Sequence, residues 1–286
     1  MAKRHVYLVL SDWELGYSVR KLDLSVRSED SNSNKQRLPP AVFRLEAPHG
    51  RSGLFAAFGT KIMFLGTRGS PWGSSAPMFD VRTRSLASIP MLESEPNPYS
   101  CAYFQVDGKF FVLDDTNFEM LQCHPASYDG AGHKRKMSWS WLALPEPSYQ
   151  HVESYALHPD GRTMFFSMIK LTQKFHPKMA TFRFDPETSQ WTRHGAWGLP
   201  FKGRGFFDCD LDAWVGLPAT CSDPNTLGHI CACDVLSSTG GDNDKLQPPD
   251  LYKGACPPAL FWNTFCGDEL LVRFASLERG GLRRGP

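Results

Sequence analysis

The chain has 286 residues, and its 31 Lys and Arg against 30 Asp and Glu leave a formal net charge of +1, so no whole-molecule field steers it toward nucleic acid or an anionic membrane. Aromatic residues make up 13% of it, enough to fill a core of good size and too many for a chain disordered throughout. No run of about 18 apolar residues occurs, which excludes a transmembrane helix on length.

The first apolar run, residues 6–10, is cut off at once by Ser11, Asp12 and Glu14. A secretory h-region needs about 7 to 15 apolar residues, so this run reads as a first strand. Similar runs recur at 17–24, 61–65, 109–113, 163–167, 181–185 and 229–233, bounded by turn residues as strands are. The 22 prolines and 24 glycines interrupt most windows a helix would need, and no stretch keeps a 3.6-residue apolar period. The predicted class is all-β.

A turn followed by a short apolar run repeats along the chain. It is seen at Gly59-Thr60-Lys61-Ile62-Met63-Phe64, at Asp107-Gly108-Lys109-Phe110-Phe111-Val112 and at Asp160-Gly161-Arg162-Thr163-Met164-Phe165. Weaker copies are Gly228-His229-Ile230-Cys231 and Gly267-Asp268-Glu269-Leu270-Leu271-Val272. Asp-Gly suits a tight hairpin because both central residues can take positive φ at low steric cost. The glycines lie 49, 53, 67 and 39 residues apart, and a step of about 50 is the period of one class of propeller blade.

A second motif falls between these turns. Phe79-Asp80 is followed by Leu86 and Phe184-Asp185 by Trp191 at the same spacing; Leu22-Asp23 is a first, partial copy. Leu86 leads to Pro90 as Trp141 leads to Pro145. Each copy predicts an inner hairpin, then a strand ending in Asp that turns into an outer strand anchored by Leu86, Trp141 or Trp191. One blade cannot bury both its faces, so blades must stack around an axis. The expectation is a kelch-like β-propeller of roughly five or six four-stranded blades, with an incomplete last blade as the alternative.

The segment Tyr155-Ala156-Leu157-His158-Pro159-Asp160-Gly161-Arg162, with residues 181–191 and Asp212-Ala213-Trp214-Val215-Gly216-Leu217, resembles a grass-abundant plant family of unknown function. That family is similar to kelch and F-box-associated propellers, and the resemblance spans nearly the whole chain. The paired glycines that end the second strand of a true kelch blade are replaced by a single Gly in the preceding turn. The resemblance implies a propeller. Relatives often carry an F-box ahead of it, for which a first strand beginning by about residue 5 leaves no room. The expected organisation is a single domain, 1–286, with surface insertions near 28–36, 125–138 and 237–250. It ends in a polar tail, 278–286, in which no closing strand is evident.

Several residue groups invite chemistry. Asp208-Cys209-Asp210-Leu211-Asp212 offers three carboxylates for calcium, but an EF-hand loop wants Gly and Glu where Ala213 and Ala219 stand; a strand end with one wet face reads better. Cys231-x-Cys233 and Cys123-His124 carry zinc-type ligands without zinc-type spacing, and two cysteines at period two suit a packed interior. His133-Lys134-Arg135-Lys136 is a short basic run in a loop, read as a solvated surface rather than a nuclear import or nucleic-acid signal. Trp72, Trp139 and Trp141 either stack on sugar rings or close blades, and the second reading is preferred. No Gly-x-Ser-x-Gly elbow, papain-like cysteine or P-loop occurs.

No catalytic, cofactor-binding or metal-binding residue is therefore assigned, and no partner-binding residue is located. The expected protein is a non-enzymatic module presenting loops to a protein partner, in cytosol or nucleus, with its eight cysteines reduced. Neither membrane nor nucleic acid is an expected partner. A carbohydrate or small-molecule binder, or a truncated copy without independent function, are the alternatives.

Overall fold

β-branched and aromatic side chains punctuated by Gly, Pro and Asp favour short strands and tight turns, and among the described residues the elements formed are all strands. The computed structural model describes residues 5–12, 16–23, 38–46, 54–65, 74–93, 96, 100–128, 134–135, 137–170, 178–218, 230–237, 251–254 and 273–275.

The first sheet begins with β1 (His5–Ser11), β2 (Tyr17–Asp23) and β3 (Ala41–Leu45). The second is β4 (Phe55–Phe58), β5 (Lys61–Phe64), β6 (Ser75–Asp80) and β7 (Ser85–Pro90). The third takes β8 (Ala102–Val106), β9 (Lys109–Leu113) and β10 (Phe118–His124). A two-stranded ribbon follows, β11 (Ser127–Tyr128) and β12 (Lys134–Arg135), before β13 (Ser138–Ala143) completes that sheet beside β10. The fourth meander is β14 (His151–Leu157), β15 (Met164–Lys170), β16 (Lys178–Asp185) and β17 (Gln190–Gly195). The fifth is β18 (Phe201–Asp208), β19 (Ala213–Pro218), β20 (Ile230–Asp234) and β21 (Leu251–Gly254). Last, β22 (Arg273–Ala275) pairs antiparallel with β1, giving the first sheet the order β22-β1-β2-β3.

Three sheets thus have four strands, and the eight-stranded one is two four-stranded meanders joined through β14 and β18. That junction is parallel, with Ser154, Tyr155 and Ala156 opposite Gly203, Arg204 and Gly205. Four-stranded antiparallel meanders whose first strands run side by side in parallel are propeller blades. The fold is all-β and of β-propeller type.

The chain divides into two compact units. One holds Met1–Glu95, Pro125–Ser140 and Phe265–Pro286; the other holds Pro96–His124 and Trp141–Thr264. In the first, Tyr7, Val9, Val19, Phe55, Ile62 and Phe64 form a core, and Phe43 stacks on Phe79 with centroids 4.5 Å apart. In the second, Phe104 lies flat on Phe111 at 4.9 Å, and Phe118 meets Phe184 edge-on at 4.8 Å. Another core of that unit surrounds Trp214 with Phe165, Phe201, Cys231 and Cys233.

Four sequence expectations are corrected. A strand does return at the C-terminal end: β22 lies within an apolar stretch ahead of the polar tail. The basic run is not all loop, since Lys134 and Arg135 pair with Tyr128 and Ser127. The repeat copy at 228–231 does not mark an inner hairpin: Gly228 lies outside the described residues, Ile230–Asp234 is a third strand, and the inner hairpin of its sheet turns at Asp208–Asp212. Placing the turn there keeps the step near the expected ~50 residues. Leu86 is no anchor. It pairs opposite Phe79 but is 62% exposed, and Ile89 is the buried side chain of β7. Of the expected insertions, 28–36 lies outside the described residues, as do most of 237–250 and all of the tail.

The turns also differ among themselves. Positive φ at both centres holds only for Asp107 (48°) and Gly108 (72°). Residues 158–163 make a longer turn, in which Gly161 N–H donates to His158 C=O and Thr163 C=O accepts from His158 N–H.

Candidate functional site

The aromatic-Asp motif resolves into a structural device. Every third strand ends on its second residue: Asp23, Asp80, His124, Asp185 and Asp234 close β2, β6, β10, β16 and β20. Asp80 Oδ1 accepts the backbone N–H groups of Arg82 and Thr83 at 2.9 and 3.0 Å, while Oδ2 accepts the Thr60 hydroxyl at 2.9 Å. The Thr83 N–H leads the effects that hold its carboxyl down at about 2, against a smaller upward push from burial. Asp185 accepts from Glu187 N–H at 2.9 Å and takes both terminal contacts of Arg162 Nη2 at 3.0 Å. Burial pushes its pKa up, but these donors outweigh burial and lower it. In each case one carboxylate shapes the turn into the outer strand and ties down the inner hairpin.

The sequence candidates fall into this frame. Cys123-His124 occupies the aromatic-Asp position of the third sheet, so its side-by-side thiol and imidazole come from repeat register. In the acidic alternation, Asp208 Oδ1 accepts N–H groups of Asp210 and Leu211 at 2.9 and 3.1 Å, and Asp212 takes positive φ. These are turn contacts. Cys231 and Cys233 are buried on one face of β20; the Cys231 thiol donates to Gly216 C=O at 3.3 Å, and burial pushes Cys233 up to about 12. Thiols so buried are poor metal ligands. Among the described residues no group of three or more His, Cys, Asp and Glu is placed to hold a metal ion. Trp139 meets Phe58 edge-on at 6.2 Å and Trp141 is tilted against Phe110 at 6.4 Å, while Trp72 lies outside the described residues.

A different polar cluster is assembled in the second unit, where β8 and β14 begin. Just before β8, the buried Ser100 donates its hydroxyl to Asp115 Oδ2 at 2.9 Å. Asp115 sits in the turn between β9 and β10, which its neighbour Asp114 caps by accepting the N–H groups of Thr116 and Asn117. The other oxygen of Asp115 lies 3.1 Å from His151 Nδ1. On the far side of the ring, His151 Nε2 lies 3.7 Å from Glu153 Oε1. Glu153 occupies a β-bulge, since the pairing of β14 with β15 shifts between Val152 and Ser154; bulges re-aim side chains in this way. The side chains of Asp115, His151 and Glu153 remain 33, 36 and 26% exposed.

The chemistry open to this cluster follows from who holds whom. The Ser100 hydroxyl donates to Asp115 and not to the imidazole, so the cluster lacks the Ser–His contact of a hydrolytic triad. Asp115 orients His151, and His151 and Glu153 face solvent as hydrogen-bonding groups.

The model of a family described as protein of unknown function, DUF1668, matches residues 3–263. The chain belongs to this family. No curated protein matches it. Among solved structures, TolB from Acinetobacter baumannii is 15% identical with a TM-score of 0.42, over 81% of this chain and 50% of that one. A periplasmic gluconolactonase from Pseudomonas aeruginosa is 13% identical with a TM-score of 0.41, over 90% and 70% of the two chains. YjhT is 14% identical with a TM-score of 0.37, over 69% and 65%. The chain thus spans half the length of the TolB chain and about two thirds of YjhT. Likeness at these levels carries nothing about ligand or reaction.

Sequence reasoning missed all four residues of the cluster in this DUF1668 chain. Ser100, Asp115 and His151 lie on separate segments, and only strand alignment brings them together. The one local signal is His151-x-Glu153 at the opening of a strand, two polar residues at period two ahead of the apolar run.

Proposed function

We propose that the protein is a non-enzymatic, kelch-like propeller module that binds a protein partner through the end of the second unit where β8 and β14 begin. The observation that carries this reading is the cluster itself. Asp115, His151 and Glu153 are each about a quarter to a third exposed, and the neighbouring Ser100 hydroxyl is engaged on Asp115. That is recognition chemistry at a turn and a strand opening of a rigid scaffold, where binding groups usually lie. The packing of Trp139 and Trp141 against Phe58 and Phe110 favours this reading over sugar stacking on those rings. A cytosolic or nuclear setting goes with it.

The test is affinity capture with the full chain from cells that express it, followed by reconstitution of whatever it retains from purified components. A stoichiometric protein partner, lost on the combined substitution Asp115→Asn, His151→Asn and Glu153→Gln, is the expected result. If folded bait retains no protein, or the triple variant binds as the parent does, this reading falls. Thermal-shift screening of sugars and metabolites then becomes the next experiment.

A further inference from the structure

The exposed side of the cluster has a defined shape and polarity. A carboxylate only accepts, so the proton between Asp115 Oδ1 and His151 Nδ1, 3.1 Å apart, belongs to the ring. In the neutral imidazole this leaves a lone pair on Nε2. Glu153 Oε1 stands 3.7 Å from that nitrogen, beyond hydrogen-bond reach. Two acceptors therefore face each other across a narrow gap, one neutral and one anionic, each about a quarter to a third exposed.

Which chemical group closes that gap follows from counting protons. A hydroxyl has one and can serve only one of the two acceptors, and a primary amide has two but no charge to match Glu153. A guanidinium is a planar fork matched to the two oxygens of one carboxylate, and here the acceptors belong to different groups. A primary ammonium has three donors around a compact charge. It can give one N–H to Nε2 and another to Oε1, and its charge is matched by Glu153, with Asp115 on the far side of the ring. Charge-assisted bonds of this kind are about twice as strong as neutral ones. The bulge at Glu153 sets the position of the anionic acceptor, and Asp115, itself held by Ser100, sets the tautomer of the ring.

We propose that His151 and Glu153, at the opening of β14, form a receptor for the primary ammonium group of a lysine side chain on the protein partner. The inference rests on the binding-module reading and specifies its chemistry.

The experiment follows the histidine imidazole ¹⁵N resonances of the full chain while Nα-acetyl-lysine methylamide is added. Its Nε-acetylated counterpart, which lacks the charge and two of the protons, is titrated in parallel. The expected result is a saturable shift at His151 Nε2, with binding of the acetylated compound at least about tenfold weaker. Glu153→Gln should abolish the shift while the resonances of the other histidines stay in place, which shows that the fold is kept. No shift with the lysine compound, an equal response to both compounds, or an undiminished response in Glu153→Gln would overturn the proposal. The two readings separate in the capture experiment. A Glu153→Gln bait that keeps its partner removes lysine docking at this site and leaves the module reading. An intact lysine response from a bait that captures no protein does the reverse.

Discussion

The second and fourth sheets carry the same sequence device and use it differently. Both third strands end in Phe-Asp, and both aspartates cap the turn that follows while gripping the inner hairpin. Asp80 grips lightly, through the Thr60 hydroxyl and Lys61 Nζ at 3.7 Å; Asp185 is held by Nε and Nη2 of Arg162. The outer strands then diverge. Opposite Phe79 stands Leu86, 62% exposed; opposite Phe184 stands Trp191, packed within 5.5 Å of the rings of Phe118, Phe166 and Phe184. The backbone device is conserved between the two copies, and the hydrophobic load is not. Turn geometry is set by the local hydrogen bonds, whereas a residue's anchoring worth is set by what the neighbouring sheet places against it.

Breaking the anchored copy should have the largest effect. Trp191 also donates its indole N–H to Pro145 C=O at 2.8 Å, so Trp191→Ala removes aromatic packing and leaves that carbonyl without its donor. We expect a loss of about 3–5 kcal/mol, read as a fall in urea midpoint followed by circular dichroism. A loss below about 1 kcal/mol would show that Trp191 merely covers its sheet as Leu86 does.

Next comes a polar strap found in the fourth sheet. The hydroxyls of Ser167 and Thr181 lie 2.9 Å apart; Thr181 donates to Trp197 C=O at 2.7 Å, and Ser167 accepts Leu199 N–H at 2.8 Å. Counting from the paired Phe-Asp motifs, the matching positions of the second sheet are Ala76 and Leu65, both apolar and buried. Thr181→Val keeps the shape but removes the donor to Trp197 C=O and the buried hydroxyl that faces Ser167. It should cost about 1–3 kcal/mol and speed amide exchange at Leu199, while Ala76→Ser should leave the second sheet no better held.

The two copies should also part in their response to pH. Asp80 is held at about 2 against its ordinary 3.8. Its contribution to stability is therefore complete above 3.8 and lost as the pH falls toward 2; Asp80→Asn should flatten the acid limb of a stability–pH curve in that window. In the fourth sheet the sensitive group is His194, nine residues beyond Asp185, where the second sheet has Ile89. Burial, with Arg183 nearby, lowers the His194 pKa, and its Nε2 has no hydrogen-bond partner. The unfolded chain takes up that proton first, so stability present above about 6.5 declines as the pH drops below it. His194→Ile should remove this decline; an unchanged pH profile would show that the ring is hydrated in the native state.

These pairs show what was legible from the sequence. The all-β class, the Asp-Gly turn at 107–108 and the Phe-Asp strand ends are local patterns, since a turn and the residues flanking it are contiguous. Cys123-His124 and Cys233-Asp234 occupy the same strand-end position with the aromatic replaced, so the thiols of Cys123 and Cys233 stand where the repeat puts them and not where a metal would need them. Gly228 was placed one hairpin out of register because Asp208–Asp212 turns the chain without a glycine. The Ser100–Asp115–His151–Glu153 cluster was not legible at all. Its members become neighbours only when the openings of β8 and β14 and the β9–β10 turn are aligned, and strand alignment is decided by core packing far from those residues.

The smallest expected effect is the sharpest check on the comparison. Leu86 and Trp191 hold equivalent places, each opposite the Phe of its motif, so a reading from motif alone assigns both an anchoring role. The structure assigns β7's anchoring to Ile89, 1% exposed, and leaves Leu86 in water. Surface substitutions away from special features fall within about 0.5 kcal/mol, so Leu86→Ser should shift the urea midpoint hardly at all. Ile89→Ala should cost about 2–5 kcal/mol. If Leu86→Ser instead destabilises as Ile89→Ala does, Leu86 is covered in solution. Its place in the motif would then predict burial after all, and the two sheets would be alike where the structure makes them differ.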